Sequence, residues 1–453
     1  MPSAAAPKRP VGPQAEPTPA GGVHLKPHLT AFEGSLASLE TAPLAVVVDL
    51  VRSGRARTRP ELVTASGLSR KIVTQRVEQA LDAGLLAEDG LAPSSGGRQP
   101  RLLRFRADAG YVYAALLGAS EMRVAVADLD GRLIEDVHED WSVENGPDET
   151  MARVRRHFEH LARKTRLGRP WAIGVGVPGP VDFSTGRLVA PPIMPGWDGF
   201  SVRSWLRDHY DAPVWVDNDV NLMALGEWTR GAEPDGRDML FMKVGTGVGA
   251  GLVVRGRLLR GQRGAAGDIG HTHITDDPAK ICRCGRPGCL EAVASGWALL
   301  IELTERAAES PAFSSAIRRR GHLVLADVGA AVVAGDDLAR EVAGRTARTI
   351  ATVAANLVNF CNPGTLVLGG GVLRTGRYFL DVFREVVLQR VTDLAGQDLE
   401  IRAASMNHME GVTGAALLAI EHLFSPTTLP RWVEDASPLG HAADLQRLSN
   451  AFA

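Results

Sequence analysis

The feature that most constrains the fold is a pair of apolar strands joined by a glycine turn, a pattern that occurs twice. The first copy, YVYAALLGASEMRVAVADLDG, begins at Tyr111, and the second, DMLFMKVGTGVGAGLVVRGRLL, begins at Asp238. A long helix, roughly Leu338 to Phe360, then leads into the strand TLVLGGGV. Strands that alternate with amphipathic helices build α/β layers, so the duplicated unit predicts two similar α/β lobes with a cleft between them.

Length and composition indicate a globular protein of two or three domains. The chain has 453 residues, of which 45% are hydrophobic and 23% charged. It contains no apolar stretch long enough for a transmembrane helix, and its Pro- and Ala-rich start lacks the apolar core of a secretory signal. Three of its four cysteines lie within eight residues, which favours a metal site and a reducing compartment over disulfides. We therefore expect a cytoplasmic protein with no membrane partner.

Charge is segregated along the chain. Residues 52–106 carry eleven Lys or Arg and five acids, a net charge of +6, whereas the whole chain carries −2. The net charge of the whole chain excludes a uniformly basic nucleic-acid coat protein. A local basic segment in a neutral chain is typical of a DNA-binding domain.

The basic segment has the pattern of a winged helix-turn-helix. Pro60 begins the second of three predicted helices, Gly67 makes the turn and Ser69 caps the third helix. In this layout the third helix enters the major groove, and the hairpin that follows reaches a phosphate or the minor groove. The alternative is a small protein-interaction domain with a solvated basic face. The residues predicted to contact double-stranded operator DNA are Ser69, Arg70, Lys71, Thr74, Gln75 and, at the hairpin tip, Arg98.

A cysteine-rich loop predicts a metal site. Cys282, Cys284 and Cys289 lie in the sequence CRCGRPGC, whose glycines and proline allow three sulfurs to surround one ion. A structural Zn²⁺ takes four ligands, often three cysteines and one histidine. His271 is the first candidate for the fourth ligand and His273 is the competitor. The alternative is a set of free buried thiols.

A series of boxes along the chain carries a family resemblance. In order they are GGRQPRL, GVGVPGPVD, DNDVN, VGTGVGAG, GAAGDIGH, CRCGRPGCLE and LVLGGGV. The series resembles the ROK family (repressors, open reading frames and sugar kinases) over roughly residues 40–424. The resemblance implies a two-lobed, actin/hexokinase-like (ribonuclease H-like) α/β domain, a sugar in its cleft, a Cys₃His zinc site and a homodimer or homotetramer.

The resemblance also implies which residues hold the sugar. Asp219 matches the residue that is the general base in family kinases, although alone it would be interpreted as a helix-capping aspartate. Asp217 is expected to point away from the cleft. Asp268 stands where the family usually has glutamate, so its shorter side chain would reach the sugar only through water. The ligand-binding residues implied are Asn218, Asp219, Asp268, His271 and Glu291.

The nucleotide site of the family kinases is incomplete in this chain. The second phosphate turn retains Gly245, Thr246 and Gly247, and the turn at Gly369 and Gly370 is retained as well. Where the kinases have DxGGT or DxGAT, however, the chain reads LLGAS, with Leu116 in place of the aspartate. Leucine cannot coordinate Mg²⁺ or its water. We therefore interpret these turns and Asp219 as vestigial and expect no catalysis.

These inferences divide the chain into a disordered tail (1–40), a winged helix-turn-helix (41–107), a two-lobed sugar-binding domain (108–424) and a C-terminal tail (425–453), partly helical and without a predicted role. The predicted function is a sugar-responsive regulator, in the commoner sense a repressor, of carbohydrate uptake or catabolism genes. Its effector would be a sugar or a sugar phosphate. The rival is an ATP-dependent hexose kinase with an appended DNA-binding domain, and a third class is a zinc-dependent scaffold.

Overall fold

The computed structural model describes residues 42–93, 99–231 and 236–450. The predicted disordered tail and Arg98 lie outside these residues. Between residues 42 and 107 the described residues form three helices and one antiparallel hairpin, as predicted: α1 (Pro43–Arg52), α2 (Arg59–Ser66), α3 (Arg70–Asp82), β1 (Leu86–Leu91) and β2 (Arg101–Phe105).

Local signals set the bounds of these helices. Thr58 caps α2 by accepting the N–H of Glu61, and Ser69 caps α3 by accepting the N–H of Ile72. Between the two helices Gly67 adopts a left-handed conformation with φ of 70°, which glycine tolerates without strain. The predicted turn and cap are thus both present.

The first lobe is built on a mixed five-stranded sheet. Its elements are β3 (Tyr111–Leu117), β4 (Glu121–Asp128), β5 (Leu133–Asp140), α4 (Pro147–Thr165), β6 (Ala172–Val177), β7 (Val181–Asp182), β8 (Arg187–Leu188), α5 (Val202–Arg207), β9 (Val214–Asn218) and α6 (Asp219–Arg230). The strand order of the sheet is β5-β4-β3-β6-β9. Strands β3 to β5 pair antiparallel, whereas β6 pairs parallel to β3 and β9 pairs parallel to β6.

The second lobe repeats this topology in a second five-stranded sheet. Its elements are β10 (Met239–Val244), β11 (Val248–Val254), β12 (Arg257–Leu258), α7 (Leu290–Ala294), α8 (Gly296–Glu305), α9 (Pro311–Arg320), α10 (Leu325–Ala334), α11 (Asp337–Cys361), β13 (Thr365–Gly369), α12 (Arg377–Arg390), α13 (Asp393–Gly396) and β14 (Glu400–Ala403). The strand order of this sheet is β12-β11-β10-β13-β14. Two antiparallel pairings again precede two parallel ones, which confirms the duplicated unit predicted from the sequence.

A return helix, α14 (Glu410–Leu423), packs on α6 and on the first sheet. The two helices approach so closely that a Cβ on Gly414 would lie 1.9 Å from the carbonyl oxygen of Leu222, and one on Gly226 would lie 1.9 Å from that of Glu410. No side chain fits at either contact, so glycine is required at both. Because α6 also packs on β10 and β11, this helix pair fixes the position of the cleft between the lobes.

The segment after Phe424 packs against the rest of the protein. It forms α15 (Leu429–Trp432), a 3₁₀ turn (Val433–Asp435) and α16 (Ala442–Asn450). Trp432 is buried, with its ring centroid 5.4 Å from that of Trp171 and 5.6 Å from that of Phe424. Phe105 of the hairpin lies 5.7 Å from Phe424, so one aromatic cluster joins the N-terminal part, the first lobe and the C-terminal segment.

Candidate functional site

A cavity of about 420 Å³ lies between the two lobes. The first lobe contributes the β3–β4 turn and the start of α6, and the second lobe contributes the β10–β11 turn and the residues around the cysteine loop. All five residues implied to hold the ligand line this cavity: Asn218, Asp219, Asp268, His271 and Glu291.

Asn218, and not Asp219, is the helix cap at this edge of the cleft. The Asn218 side chain accepts the N–H of Val220 at 2.9 Å and donates to the carbonyl of Gly179 at 3.2 Å. Asp219 is the first residue of α6 and is 3% exposed. The capping interpretation of Asp219 is therefore wrong for this structure, which leaves its carboxylate free for another partner.

That partner is Lys243, whose Nζ forms an ion pair with Oδ2 of Asp219. The lysine stem crosses the glycine turns, since its Cγ would lie 3.0 Å from a Cβ on Gly370 and its Cε 3.7 Å from a Cβ on Gly245. The ammonium neutralises the carboxylate through Oδ2, which weakens Asp219 as a proton acceptor and leaves Oδ1 for a ligand hydroxyl. Sequence reasoning missed Lys243, although it is the single charged residue of β10, MLFMKV.

The glycine turns face the cleft with one exception. Gly245, Thr246, Gly247 and Gly370 line the cavity, as the resemblance implied. Gly369 does not: it is the last residue of β13, and a Cβ there would lie 2.4 Å from the Phe241 ring. The assignment of Gly369 to a nucleotide turn is therefore corrected, because glycine is needed there for packing.

Leu116 lines the cavity where the family kinases have an acid. Its Cδ2 would lie 2.3 Å from a Cβ on Gly411 of α14, and its Cδ1 would lie 2.7 Å from one on Gly176. The leucine thus packs against the backbone of two neighbouring elements. An apolar side chain at this position offers a metal ion no ligand.

The cysteine loop and His271 form a cluster that could hold a metal ion. One ligand atom each from His271, Cys282, Cys284 and Cys289 lies within 4.8 Å of all the others, and Nδ1 of His271 lies 3.6 Å from Sγ of Cys282. His273 instead hydrogen-bonds Asp276 at 2.9 Å and is outside the cluster. Of the two candidate histidines, His271 therefore belongs to the cluster and His273 does not.

The loop favours a thiolate within this cluster. Burial raises the pKa of the Cys282 thiol to about 12. Burial acts in the same sense on Cys284, but hydrogen bonds from the backbone and side chain of Arg286 outweigh it and lower the pKa of that thiol to about 7. A thiolate is the form of cysteine that binds metals, and Cys284 is the cysteine of this cluster that ionises most readily.

Glu291 is held from two sides at the base of the cleft. Its Oε2 accepts the N–H of Val248 at 3.1 Å, and its Oε1 accepts from Nη2 of Arg283 at 2.8 Å. Each carboxylate oxygen keeps a second lone pair for a ligand hydroxyl. Arg283 lies between two cluster cysteines, and nothing in the local sequence predicted its contact with Glu291.

Asp268 and Asp217 differ in their access to the cleft. The Asp268 side chain is 48% exposed, lines the cavity and has its Oδ1 3.9 Å from Nε2 of His271. Asp217 is bound by Arg260 at 2.7 Å and by the side chain of Asn221 at 2.8 Å. Asp217 does not line the cavity, as predicted.

Two further cleft residues were not predicted. Glu410, the first residue of α14, is buried, and burial raises the pKa of its carboxyl group. Arg374 is exposed at the rim and forms no ion pair within residues 42–93, 99–231 and 236–450. Glu410 could have been found as the acid that precedes a ten-residue run without charge, GVTGAALLAI, whereas Arg374 had no such signal.

The outer face of α3 is the candidate nucleic-acid surface. Val73, Val77 and Ala80 are buried against the other helices. The predicted contact residues lie on the opposite face and are all exposed: Ser69, Arg70, Lys71, Thr74 and Gln75. Arg98 lies outside the described residues, so this surface consists of α3 and its cap.

The protein has two lobes of repeated topology with a polar cleft between them, and a Cys₃His cluster lies beside that cleft. These features define a hexokinase-like α/β protein, a class that includes sugar kinases and their regulatory relatives. A family model described as ROK family matches residues 112–422. The chain therefore belongs to the ROK family.

Known proteins similar to this chain include both repressors and sugar kinases. A xylose repressor of Caldicellulosiruptor bescii is 27% identical over 84% of this chain and 96% of its own length. A glucokinase of Halalkalibacterium halodurans is 36% identical, over 57% of this chain and 78% of its own length. The crystal structure of a ROK family transcriptional regulator, a homologue of the E. coli MLC protein, is 25% identical and covers 88% of this chain with a TM-score of 0.74.

Helices long and apolar enough to cross a bilayer are absent from the described part of the chain.

Proposed function

We propose that this protein is a transcription regulator, in the commoner sense a repressor, that binds double-stranded operator DNA through α3 and responds to a sugar or sugar phosphate in the interlobe cleft. The observation that carries the proposal is the exposed polar face of α3, capped by Ser69 and attached to a ROK domain. The similarity to a xylose repressor spans both parts of the chain, which supports the same conclusion.

A homodimer, or a homotetramer built from such dimers, would place two copies of α3 on an inverted repeat with half-sites one helical turn or a multiple apart. A sugar that closes the cleft would change the spacing of these helices and so the operator affinity. The test is to capture sheared genomic DNA on the purified protein and sequence the enriched fragments. Enrichment of an inverted repeat beside carbohydrate genes supports the proposal, and no enrichment above an Arg70→Ala control contradicts it.

The Asp219→Asn variant should weaken the response to sugar while leaving operator binding unchanged. The exchange keeps the shape of the side chain but removes a buried charge that accepts ligand hydroxyls, a loss of about 1.5–3 kcal/mol of ligand binding free energy. We expect the sugar concentration for half-release of the operator to rise at least about tenfold, with unchanged operator affinity. Fluorescence anisotropy with a labelled operator measures both. An unaltered sugar response would place the pocket elsewhere, and Asp211→Asn, an exposed aspartate, is the control.

We also propose that the Cys₃His cluster binds Zn²⁺, which would hold the loop and so keep His271 and Glu291 in register. Three sulfurs and one imidazole nitrogen are the donor set of structural zinc sites.

We expect about one zinc per chain in the wild type and almost none in Cys289→Ser, because loss of one thiolate removes a quarter of the ligand set. Elemental analysis of the purified protein measures this. Cys361→Ser is the matched control, since Cys361 is outside the cluster and donates to the carbonyl of Leu357. Equal zinc in both variants would refute the site.

A hexose kinase is the second candidate, because the turns at Gly245 and Gly370 remain in the cleft and a glucokinase is among the relatives. Leu116 and the Lys243–Asp219 ion pair oppose it, since the first supplies no Mg²⁺ ligand and the second occupies the candidate base. We expect no ADP release above background with Mg-ATP and a panel of hexoses. Release that depends on both substrates and disappears in Asp219→Asn would establish the kinase instead.

A further inference from the structure

We propose that Arg283 is a positioning residue that links the metal loop to the ligand cleft. The biological meaning of this inference rests on the proposed function, whereas the contacts of Arg283 do not depend on that function. Arg283 lies between Cys282 and Cys284, and its side chain extends away from the cysteines toward the cleft. There Nη2 donates to Oε1 of Glu291 at 2.8 Å and to the carbonyl oxygen of Thr246 at 3.0 Å.

These two acceptors belong to separate parts of the cleft wall. Glu291 follows the last cysteine on α7, whereas Thr246 is the middle residue of the β10–β11 glycine turn. One guanidinium therefore joins the cysteine loop, a candidate ligand carboxylate and a main-chain turn. A guanidinium presents its donors in one rigid plane, so it holds two acceptors at fixed relative positions, which a lysine ammonium does not.

Trp297 fixes the plane of this guanidinium. The Cζ atom of Arg283 lies 4.7 Å from the centroid of the Trp297 ring, in the range of a cation–π contact. Trp297 is the second residue of α8, and the N–H of Gly296 beside it donates to the carbonyl of Gly245 at 2.7 Å. The glycine turn is thus tied to the start of α8 directly and to the metal loop through Arg283.

Loss of Arg283 would affect a backbone hydrogen bond at the start of β11. Glu291 accepts the N–H of Val248 through Oε2, while Arg283 holds Oε1 of the same carboxylate. Without Arg283 the Glu291 side chain, 9% exposed, would keep its charge but lose its cationic partner. The carboxylate would then reorient toward water, because a buried charge without a partner is unstable, and the Val248 amide would lose its acceptor.

The test measures amide exchange at Val248 in the zinc-loaded full chain. We expect Arg283→Met to accelerate exchange of the Val248 amide by about tenfold or more at unchanged zinc content, because the hydrogen bond to Glu291 is lost. The exchange rate in Arg283→Lys should lie between those of the wild type and Arg283→Met, because lysine keeps the charge but lacks the planar guanidinium. Lys280→Met, a neighbouring cation of the same loop that does not line the cavity, should match the wild type.

A double perturbation separates positioning from general stability. Chelation of zinc should accelerate Val248 exchange in the wild type and add little in Arg283→Met, because both changes act through one contact. Wild-type exchange at Val248 in Arg283→Met, or fully additive effects of variant and chelator, would overturn the proposal. Since this readout needs neither sugar nor DNA, its failure is distinct from failure of the proposed function. If an operator and its sugar are found, Arg283→Met should also raise the sugar concentration for half-release at unchanged operator affinity.

Discussion

Alanine at both Arg70 and Gln75 should lower specific operator affinity by about a hundredfold or more. Both side chains are exposed, Arg70 at the first position of α3 and Gln75 five residues later. The first residues of a recognition helix meet base edges, and each good bidentate contact is worth about 1–3 kcal/mol of discrimination. Anisotropy titrations of a labelled operator at one fixed salt concentration measure the loss, since the phosphate contribution varies with salt.

The pattern of the loss identifies its cause. We expect the double variant to bind unrelated duplex DNA nearly as well as the wild type, because base contacts and not phosphate contacts are removed. Its thermal unfolding should not change, since neither side chain belongs to the buried face of α3. Arg377→Ala, an exposed arginine at the start of α12 in the second lobe, controls for the loss of a positive charge. Retention of operator affinity in the double variant would mean that another surface reads the sequence.

Much of this architecture could be predicted because its signals are local. Gly67 and Ser69 mark a turn and a cap in neighbouring residues, and the structure places both as predicted. The two strand–glycine–strand units could be recognised because alternation of strand and turn is written into consecutive residues. The Cys₃His cluster could be predicted from three cysteines in one short loop, and the sequence narrowed its histidine to two candidates.

The unpredicted features depend on contacts between distant residues. Lys243 pairs with Asp219 across 24 positions of sequence, and Arg283 reaches Thr246 across 37. Periodicity and spacing carry no information on such pairs, because the fold determines which strand ends and loops meet. Gly369 illustrates the converse error: its motif suggested a nucleotide turn, but the ring of Phe241 explains the glycine.

Trp432→Ala should produce the largest loss of stability. Trp432 is 0% exposed, contacts the rings of Trp171 and Phe424, and donates its indole N–H to the carbonyl of Leu423 at 3.1 Å. Removal of a buried tryptophan costs about 3–5 kcal/mol of the free energy of unfolding, and the carbonyl also loses a donor. Chemical unfolding followed by circular dichroism measures the change.

Phe360→Ala is the matched control, because Phe360 is 89% exposed and its loss should change the free energy of unfolding by less than about 0.5 kcal/mol. Similar losses in the two variants would show that the C-terminal segment is not packed as described.

The same variant tests how the DNA-binding part is joined to the cleft. Phe424, which Trp432 supports, also contacts Phe105 of the hairpin, and the guanidinium of Arg52 in α1 lies 5.8 Å from its ring. A movement of the lobes can reach α3 only if the N-terminal part moves with the first lobe. We therefore expect Trp432→Ala, assayed below its unfolding temperature, to bind the operator but to release it less completely at saturating sugar. Full release with wild-type amplitude would mean that the signal passes through contacts other than this aromatic cluster.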